Sequence, residues 1–235
     1  MQDFGAAFWL AGELLVSGDE TLAEIVVLSL KINAGAVALA SAIGMPLGAI
    51  LAVARFPGRQ ALVVLVNSLM GLPPVVVGLV VYLMLSNAGP LGVLQLLYTP
   101  TAMIVAQTVL VTPIVAALTR QVIEDMDAEY SEQLDSLAVG RLARIGTLLY
   151  DARASLVTAV LAGFGRSVAE VGAVIIVGGN INHVTRVMTT AIALETSKGN
   201  LALALALGFV LLTIAIVVNG AVGGLRLAMV RDAHA

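Results

Sequence analysis

The sequence predicts an all-α, polytopic membrane protein with five transmembrane helices and one charged cytoplasmic helix. Three observations carry that prediction. Of 235 residues, 60% are hydrophobic and 11% are charged, whereas a soluble domain carries about 25% charged residues. Residues 32–54, 60–119 and 199–225 contain no Asp, Glu, Lys or Arg, and each run can hold at least one bilayer-spanning helix of about 20 residues. The apolar runs are continuous rather than alternating, which disfavours a membrane β-barrel. Together these features exclude a soluble enzyme, a disordered chain and a nucleic-acid binder. The net charge of −3 implies no anionic partner by itself. The chain has no cysteine, so it forms no disulfide and no thiolate metal site.

The elements follow in order. Residues 1–20 place Phe4, Phe8, Ala11 and Leu15 on one helical face, with Trp9 nearby, as in a short interfacial helix. The first basic residue is Lys31, so the pattern of a cleavable signal peptide is not met. A membrane domain fills residues 21–235. Its first span covers about residues 24–54, with Lys31 able to snorkel and Pro46 loosening one turn. The second covers about residues 60–85 and carries Gly71-Leu72-Pro73-Pro74. Two adjacent prolines remove two backbone donors, so a bend is expected there. It is either a packing kink or a cavity wall, because non-helical backbone at membrane depth survives only against protein or a wet cavity. The third span covers about residues 101–119, the fourth 155–177 and the fifth 200–225.

Five spans put the termini on opposite sides. Arg55, Arg59, Arg120, Arg141, Arg144, Arg153, Arg226 and Arg231 fall in one set of loops; Arg186 and Lys198 fall in the other, with Lys31 at its border. The excess of positive charge marks the cytoplasm. The N-terminus is therefore expected outside and the C-terminus inside.

Residues 120–155 hold 11 of the 27 charges. Leu134, Leu137, Ala138 and Leu142 recur at helical spacing, continued by Ile145 and Leu148. Such a helix either caps its own bundle or docks a soluble partner, and a cap needs fewer charges. Within the fourth span, Arg166 and Glu170 lie four apart, on one face of a continuous helix. A lone charge at the centre of a span costs about 2.5–3.5 kcal/mol, so the two are expected to pair. The pair either holds helices together or lines a pathway, where Arg166 attracts an anion and Glu170 tempers the attraction. Gly163, Gly165, Ala169, Gly172 and Ala173 around it allow close helix contact, within one subunit or between two.

The stretch Glu132-Gln133-Leu134-Asp135-Ser136-Leu137-Ala138 resembles the cytoplasmic loop of ABC importer permeases, of the form E-A-A, three residues, G. It departs in having Ala138 at the family glycine, with Gly140 close by, and Leu148-Leu149-Tyr150-Asp151 where the family ends on I-x-L-P. Residues 161–200, LAGFGRSVAEVGAVIIVGGNINHVTRVMTTAIALETSKGN, resemble tungstate importer permeases and are similar to those for molybdate and sulfate. Gly44-Met45-Pro46-Leu47-Gly48 and Pro73-Pro74-Val75-Val76-Val77-Gly78 fit the same group.

The resemblance implies the type I ABC importer permease fold, in the inner membrane of a prokaryote. It implies a second copy of the chain, two cytoplasmic ATPase subunits and an extracytoplasmic oxyanion-binding protein. It implies that Glu132, Gln133, Leu134, Leu137, Ala138, Gly140 and Arg141 couple to the ATPase, and that the substrate is an oxyanion, tungstate foremost, moved by alternating access. The outer segment 178–199, with Asn180, Asn182, Arg186, Thr189, Thr190, Glu195 and Lys198, would meet the binding protein and line an outer gate; by residues alone it is a polar loop, with an apolar stretch over 187–194 that could turn back into the membrane. No G-x4-G-K-[ST] pattern occurs. ATP and Mg are therefore expected on the partner ATPase, and no cofactor or metal is expected on this chain.

Two other classes fit less well. An ion-coupled secondary transporter or channel would use Arg166 and Glu170 as its coupling pair, but such proteins often show inverted repeats, and none is visible. An intramembrane enzyme would need Ser167 as nucleophile, yet G-x-S-x-G is not completed and no base lies in a span.

Overall fold

The computed structural model describes residues 20–232, preceded by Trp9, Gly12, Glu13 and Val16. The interfacial helix expected over residues 1–20 lies outside the described residues, apart from these four and Glu20. The described residues are helical and contain no strand. In chain order the helices are α1 (Glu20–Val53), α2 (Arg59–Leu69), α3 (Pro74–Leu85), α4 (Pro100–Ser136), α5 (Arg141–Asp151), α6 (Arg153–Val168), α7 (Gly172–Gly178), α8 (Met188–Lys198) and α9 (Leu201–Asp232), with a 3-10 turn at Gly92–Leu94. Three stretches are long and apolar enough to cross a membrane alone: Glu20–Val53, Pro100–Ser136 and Leu201–Gly224. Two bent pairs, α2 with α3 (101°) and α5 with α6 (76°), bring the total to five if each pair is one span. The chain is a multi-pass membrane protein.

The expected bend in the second span is present. Pro73 is extended and Pro74 opens α3, where a missing N–H costs nothing because no intrahelical acceptor awaits it. Two expectations are corrected. The helix of the third span does not stop near residue 119: α4 continues to Ser136, because residues 120–136 contain no Pro or Gly and every residue there tolerates a helix. The fourth span is not one helix over 155–177. α6 ends at Val168 and α7 begins at Gly172. Arg166 and Glu170 therefore do not share one continuous helical face, and spacing alone no longer pairs them.

The chain forms two compact units. The first comprises the chain through Ala36, Pro73–Gln107 and Ser167–Val218. Its core joins Ile25, Met188, Ala191 and Leu207, from α1, α8 and α9. Gly78 of α3 lies against Ala173 of α7, where an added Cβ would stand 2.7 Å from the Ala173 Cα; only glycine permits that approach. The second unit comprises Val37–Leu72, Thr108–Arg166 and the chain from Asn219. There Val37 and Ala40 of α1 pack on Val111 and Val115 of α4. At Gly48 a Cβ would run into the Ala116 carbonyl, so this glycine sets the α1–α4 distance. A further cluster, Ala49, Ile123, Leu134, Leu148, Ala152 and Leu156, ties α4, α5 and α6 together.

Large apolar side chains remain exposed on α1 (Leu39, Ile43, Leu47), α3 (Val76, Leu79, Val80, Leu83) and α9 (Leu212, Ile216, Val217). In water such faces would be a liability, whereas in hydrocarbon every backbone polar group is satisfied within its own helix and apolar side chains are at home.

Candidate functional site

Two places concentrate the polar chemistry, one in each unit. In the second unit it is the extension of α4 and the helix that follows. Residues 137–140 reverse the chain. The Ala138 N–H donates to the Asp135 carbonyl at 3.0 Å and the Val139 N–H to the Leu134 carbonyl at 3.1 Å. Ala138 sits at φ 49°. This is a Schellman stop, in which the left-handed position normally takes glycine. Ala138 stands where the resembling family has its glycine. Val139 packs against the cluster that contains Leu134 and closes the motif.

The expected stripe Leu134, Leu137, Ala138, Leu142 does not lie on one face, because the helix breaks between Ser136 and Arg141 and the phase resets. Leu134 is buried at 8% exposure, while Leu137 and Leu142 are exposed at 74% and 87%. Glu132, Gln133, Ala138, Gly140 and Arg141 are exposed beside them. Of the expected coupling residues, Leu134 thus roots the arm and the others form its outer surface. Leu142 joins that surface, although its spacing put it inside.

Three arginines pair with carboxylates of α4. Arg59 donates Nε to the Leu51 carbonyl at 2.6 Å, closing the end of α1, and pairs with Glu124. Arg120 pairs with the same carboxylate from one turn earlier in α4. Arg144 of α5 donates Nε to Asp127 at 2.5 Å and Nη1 to Asp135 at 2.6 Å. The hydrogen bond to Asp127 is the main cause that holds the Arg144 guanidinium above its ordinary pKa.

In the first unit a buried knot of uncharged polar groups joins α1, α4 and the end of α6. Asn33, Gln107 and Ser167 are 5%, 3% and 2% exposed. Gln107 Nε2 donates to the Ser167 carbonyl at 3.3 Å. This fixes Gln107 Oε1 as acceptor for the Ser167 hydroxyl, at 2.7 Å. The hydroxyl also lies 2.9 Å from Asn33 Oδ1, and its one proton serves one of these two amide oxygens at a time. Ser167 is thus a hydrogen-bonding node and not an exposed nucleophile. Beside the knot, Glu170 is 4% exposed. Its Oε1 accepts the Ala173 N–H at 3.1 Å, where the first turn of α7 favours a carboxylate. The Thr189 hydroxyl donates to the Glu170 carbonyl at 2.8 Å. The cavity among these groups measures only about 10 Å³, the lower limit for one water, and cannot hold an oxyanion in this conformation. Arg166, half-buried, stands in the last turn of α6.

Segment 178–199 is more ordered than a polar loop. Most of the stretch that could turn back into the membrane lies in α8, whose Met188 and Ala191 are buried. Thr190 is fully buried; its hydroxyl accepts the Val187 N–H at 3.2 Å and lies 2.9 Å from Asn180 Oδ1. Thr185 donates to the Gly178 carbonyl at 2.5 Å and accepts the Ile181 N–H at 2.9 Å. Glu195 accepts from Lys198 at 3.0 Å and Asn200 at 3.1 Å. The Lys198 bond is the main cause that holds its carboxyl below the usual glutamate range. Arg186 reaches Asn182 at 3.0 Å, and His183 meets Glu24 at 2.6 Å. Asn180, Thr189, Thr190 and Glu195 are therefore tied into the fold, Arg186 is half-buried, and Asn182 and Lys198 are exposed.

Sequence reasoning missed Asn33 and Gln107. A signal was available: both are amide side chains inside charge-free apolar stretches, where a polar group needs a partner.

Residues 44–229 match the family of binding-protein-dependent transport system inner membrane components. The chain is 41% identical over 226 residues to the tungstate uptake system permease protein TupB of Peptoclostridium acidaminophilum, covering 96% of this chain and 99% of that protein. It is 40% identical over 204 residues to a probable anion ABC transporter permease protein of Haloferax volcanii, covering 84% and 88%. It is 41% identical over 165 residues to TupB of Campylobacter jejuni, covering 70% and 69%. The chain belongs to the family of inner membrane components of binding-protein-dependent transport systems.

Proposed function

We propose that the chain is the membrane-spanning permease subunit of an ATP-driven importer that translocates tungstate by alternating access. The observation that carries this reading is the end-to-end likeness to a tungstate uptake permease, 41% identical with 99% of that protein covered. The subunit hydrolyses nothing itself. ATP and Mg belong to two cytoplasmic ATPase subunits, and an extracytoplasmic protein delivers the anion.

In this reading two copies of the chain form the pathway. The N-terminus faces outside and the C-terminus the cytoplasm. The outer surface of the α4–α5 turn, with Glu132, Gln133, Leu137, Ala138, Gly140 and Arg141, enters the ATPase. Two apolar side chains there, exposed and flanked by charge, suit a groove on a soluble partner better than open water. ATP closure draws the two arms together and opens the outer side. Hydrolysis releases them and opens the inner side. Arg166 supplies positive charge near the pathway. The segment 178–199 forms the outer gate, its shape fixed by the Asn180–Thr190 clasp, with Arg186 at its rim.

The test is Leu137→Arg and Glu132→Arg in the assembled complex. ATP hydrolysis stimulated by the binding protein should separate from tungstate uptake, or the ATPase should no longer co-purify. Normal stimulation with normal uptake in both variants would refute docking at this turn.

A further inference from the structure

The arm that presents Leu137 and Leu142 is held by few covalent restraints. Residues 137–140 join it to α4 and Ala152 joins it to α6. Gly140 has nothing within 4 Å of where a Cβ would stand, while Val139 packs against the cluster that contains Leu134. The side chains of α5 add to that hold. One contribution is apolar, through Leu148 at 1% exposure against Ile123 and Leu134. The other is Arg144.

Glu124, Asp127, Ser131 and Asp135 follow one another at spacings of three, four and four along α4, so they share one face. Arg144 reaches two of them, Asp127 at 2.5 Å and Asp135 at 2.6 Å. The backbones of those two residues are eight positions apart, about 12 Å along a helix axis, and both side chains reach toward the one guanidinium. A guanidinium presents donors from separate nitrogens in a fixed plane. Bonded at both ends, it resists rotation of α5 as well as its separation from α4. The Arg144 side chain is 15% exposed and Asp127 21%, so that half of the clamp is shielded more than an ordinary surface pair; Asp135, 71% exposed, makes the solvated half. Arg144 points away from Leu142, which is two residues off and about 200° around the helix, while Arg141, three residues off, lies about 60° from it.

We propose that Arg144 is a positioning residue for energy coupling. It touches neither nucleotide nor anion. It locks the docking turn to α4, so that displacement by the ATPase moves α4 as a whole instead of swinging α5 about residues 137–140. The inference rests on the permease reading above and adds the element that carries the stroke. Loss of the clamp leaves the exposed surface of Leu137, Leu142 and Arg141 intact, so the ATPase still binds and still hydrolyses, but fewer anions move per ATP.

The experiment is Arg144→Gln in the complete complex of permease, ATPase and binding protein, reconstituted in liposomes. Three quantities are read: ATPase co-purification, tungstate taken up per ATP hydrolysed, and the distance distribution between spin labels at Glu129 and Thr147. Co-purification should be retained. Uptake per ATP should fall about fivefold or more, the low end of usual coupling between sites. The label distribution should broaden. Arg144→Lys, which can satisfy one carboxylate at a time, should fall between. The paired variant Asp127→Asn with Asp135→Asn should reproduce Arg144→Gln while preserving side-chain volume. Unchanged uptake per ATP in both Arg144→Gln and the paired variant overturns the proposal. So does loss of the ATPase from both, which makes the cluster a docking or folding element. Uptake by the unaltered permease without its ATPase would instead sink the permease reading, and the coupling role with it.

Discussion

Replacing Ala138 by glycine is expected to stabilise the turn between α4 and α5. Ala138 holds φ 49° at the stop of α4, a left-handed conformation that costs an L-residue about 1–2 kcal/mol. Glycine carries no such penalty but gains freedom in the unfolded chain, which returns about 0.4–1 kcal/mol. The methyl group is exposed, so little packing is lost. The net gain is about 0.5–1 kcal/mol. It should be read locally, because the two capping hydrogen bonds, Ala138 N–H to Asp135 and Val139 N–H to Leu134, open together when the stop frays. Hydrogen exchange at the Val139 amide should slow by about two- to fivefold, the factor that this free energy implies. Ala138→Val should act in the opposite sense, since a β-branched residue is a poor fit at positive φ. Faster exchange in Ala138→Gly, or no difference between the two variants, would refute the Schellman account of this turn.

Three further outcomes follow from the geometry. Ser167→Ala leaves Gln107 Oε1 and the Asn33 amide facing each other without the hydroxyl that joins them; at about 1–3 kcal/mol for each buried group left unsatisfied, thermal unfolding in detergent should shift down. Gly78→Ala puts a Cβ 2.7 Å from the Ala173 Cα, a backbone atom that cannot swing aside, and should cost about 1–3 kcal/mol in the same assay. The third concerns pH. Because the Glu195 carboxyl is held below its usual range by Lys198, the clasp at the end of α8 is present above the unfolded glutamate value and is lost as pH falls through the lower folded value. Exchange protection at the Asn200 amide should drop on acidification across that window, and Glu195→Gln should remove the dependence.

The fold class was legible because charge is scarce and clumped, and both facts survive any rearrangement in space. The Pro73-Pro74 bend was legible because two missing donors must break a helix wherever it sits. The extent of α4 was not, because the charges from Arg120 onward mark where the membrane is expected to end and not where the helix ends. The apolar stripe over residues 134–148 was read in a single phase, and the break at Ala138 reversed the sense of Leu142. A left-handed alanine leaves no mark in the sequence unless a glycine is expected there. Arg166 and Glu170 were visible as charges in an apolar run, but their relation depended on a helix that ends at Val168. Glu170 Oε1 also accepts the Ala173 N–H in the first turn of α7, a role that needs the break to exist. The knot of Asn33, Gln107 and Ser167 draws on residues up to 134 positions apart, and no local pattern brings them together.

The central claim is that this chain moves tungstate only as part of an ATP-driven assembly. The direct measurement is tungstate uptake into liposomes that hold the permease and its ATPase, with ATP inside and the binding protein outside, and with each component omitted in turn. The account predicts uptake with the full set and none when ATP, the ATPase or the binding protein is left out. Uptake by the permease alone, driven by an ion gradient, would contradict it.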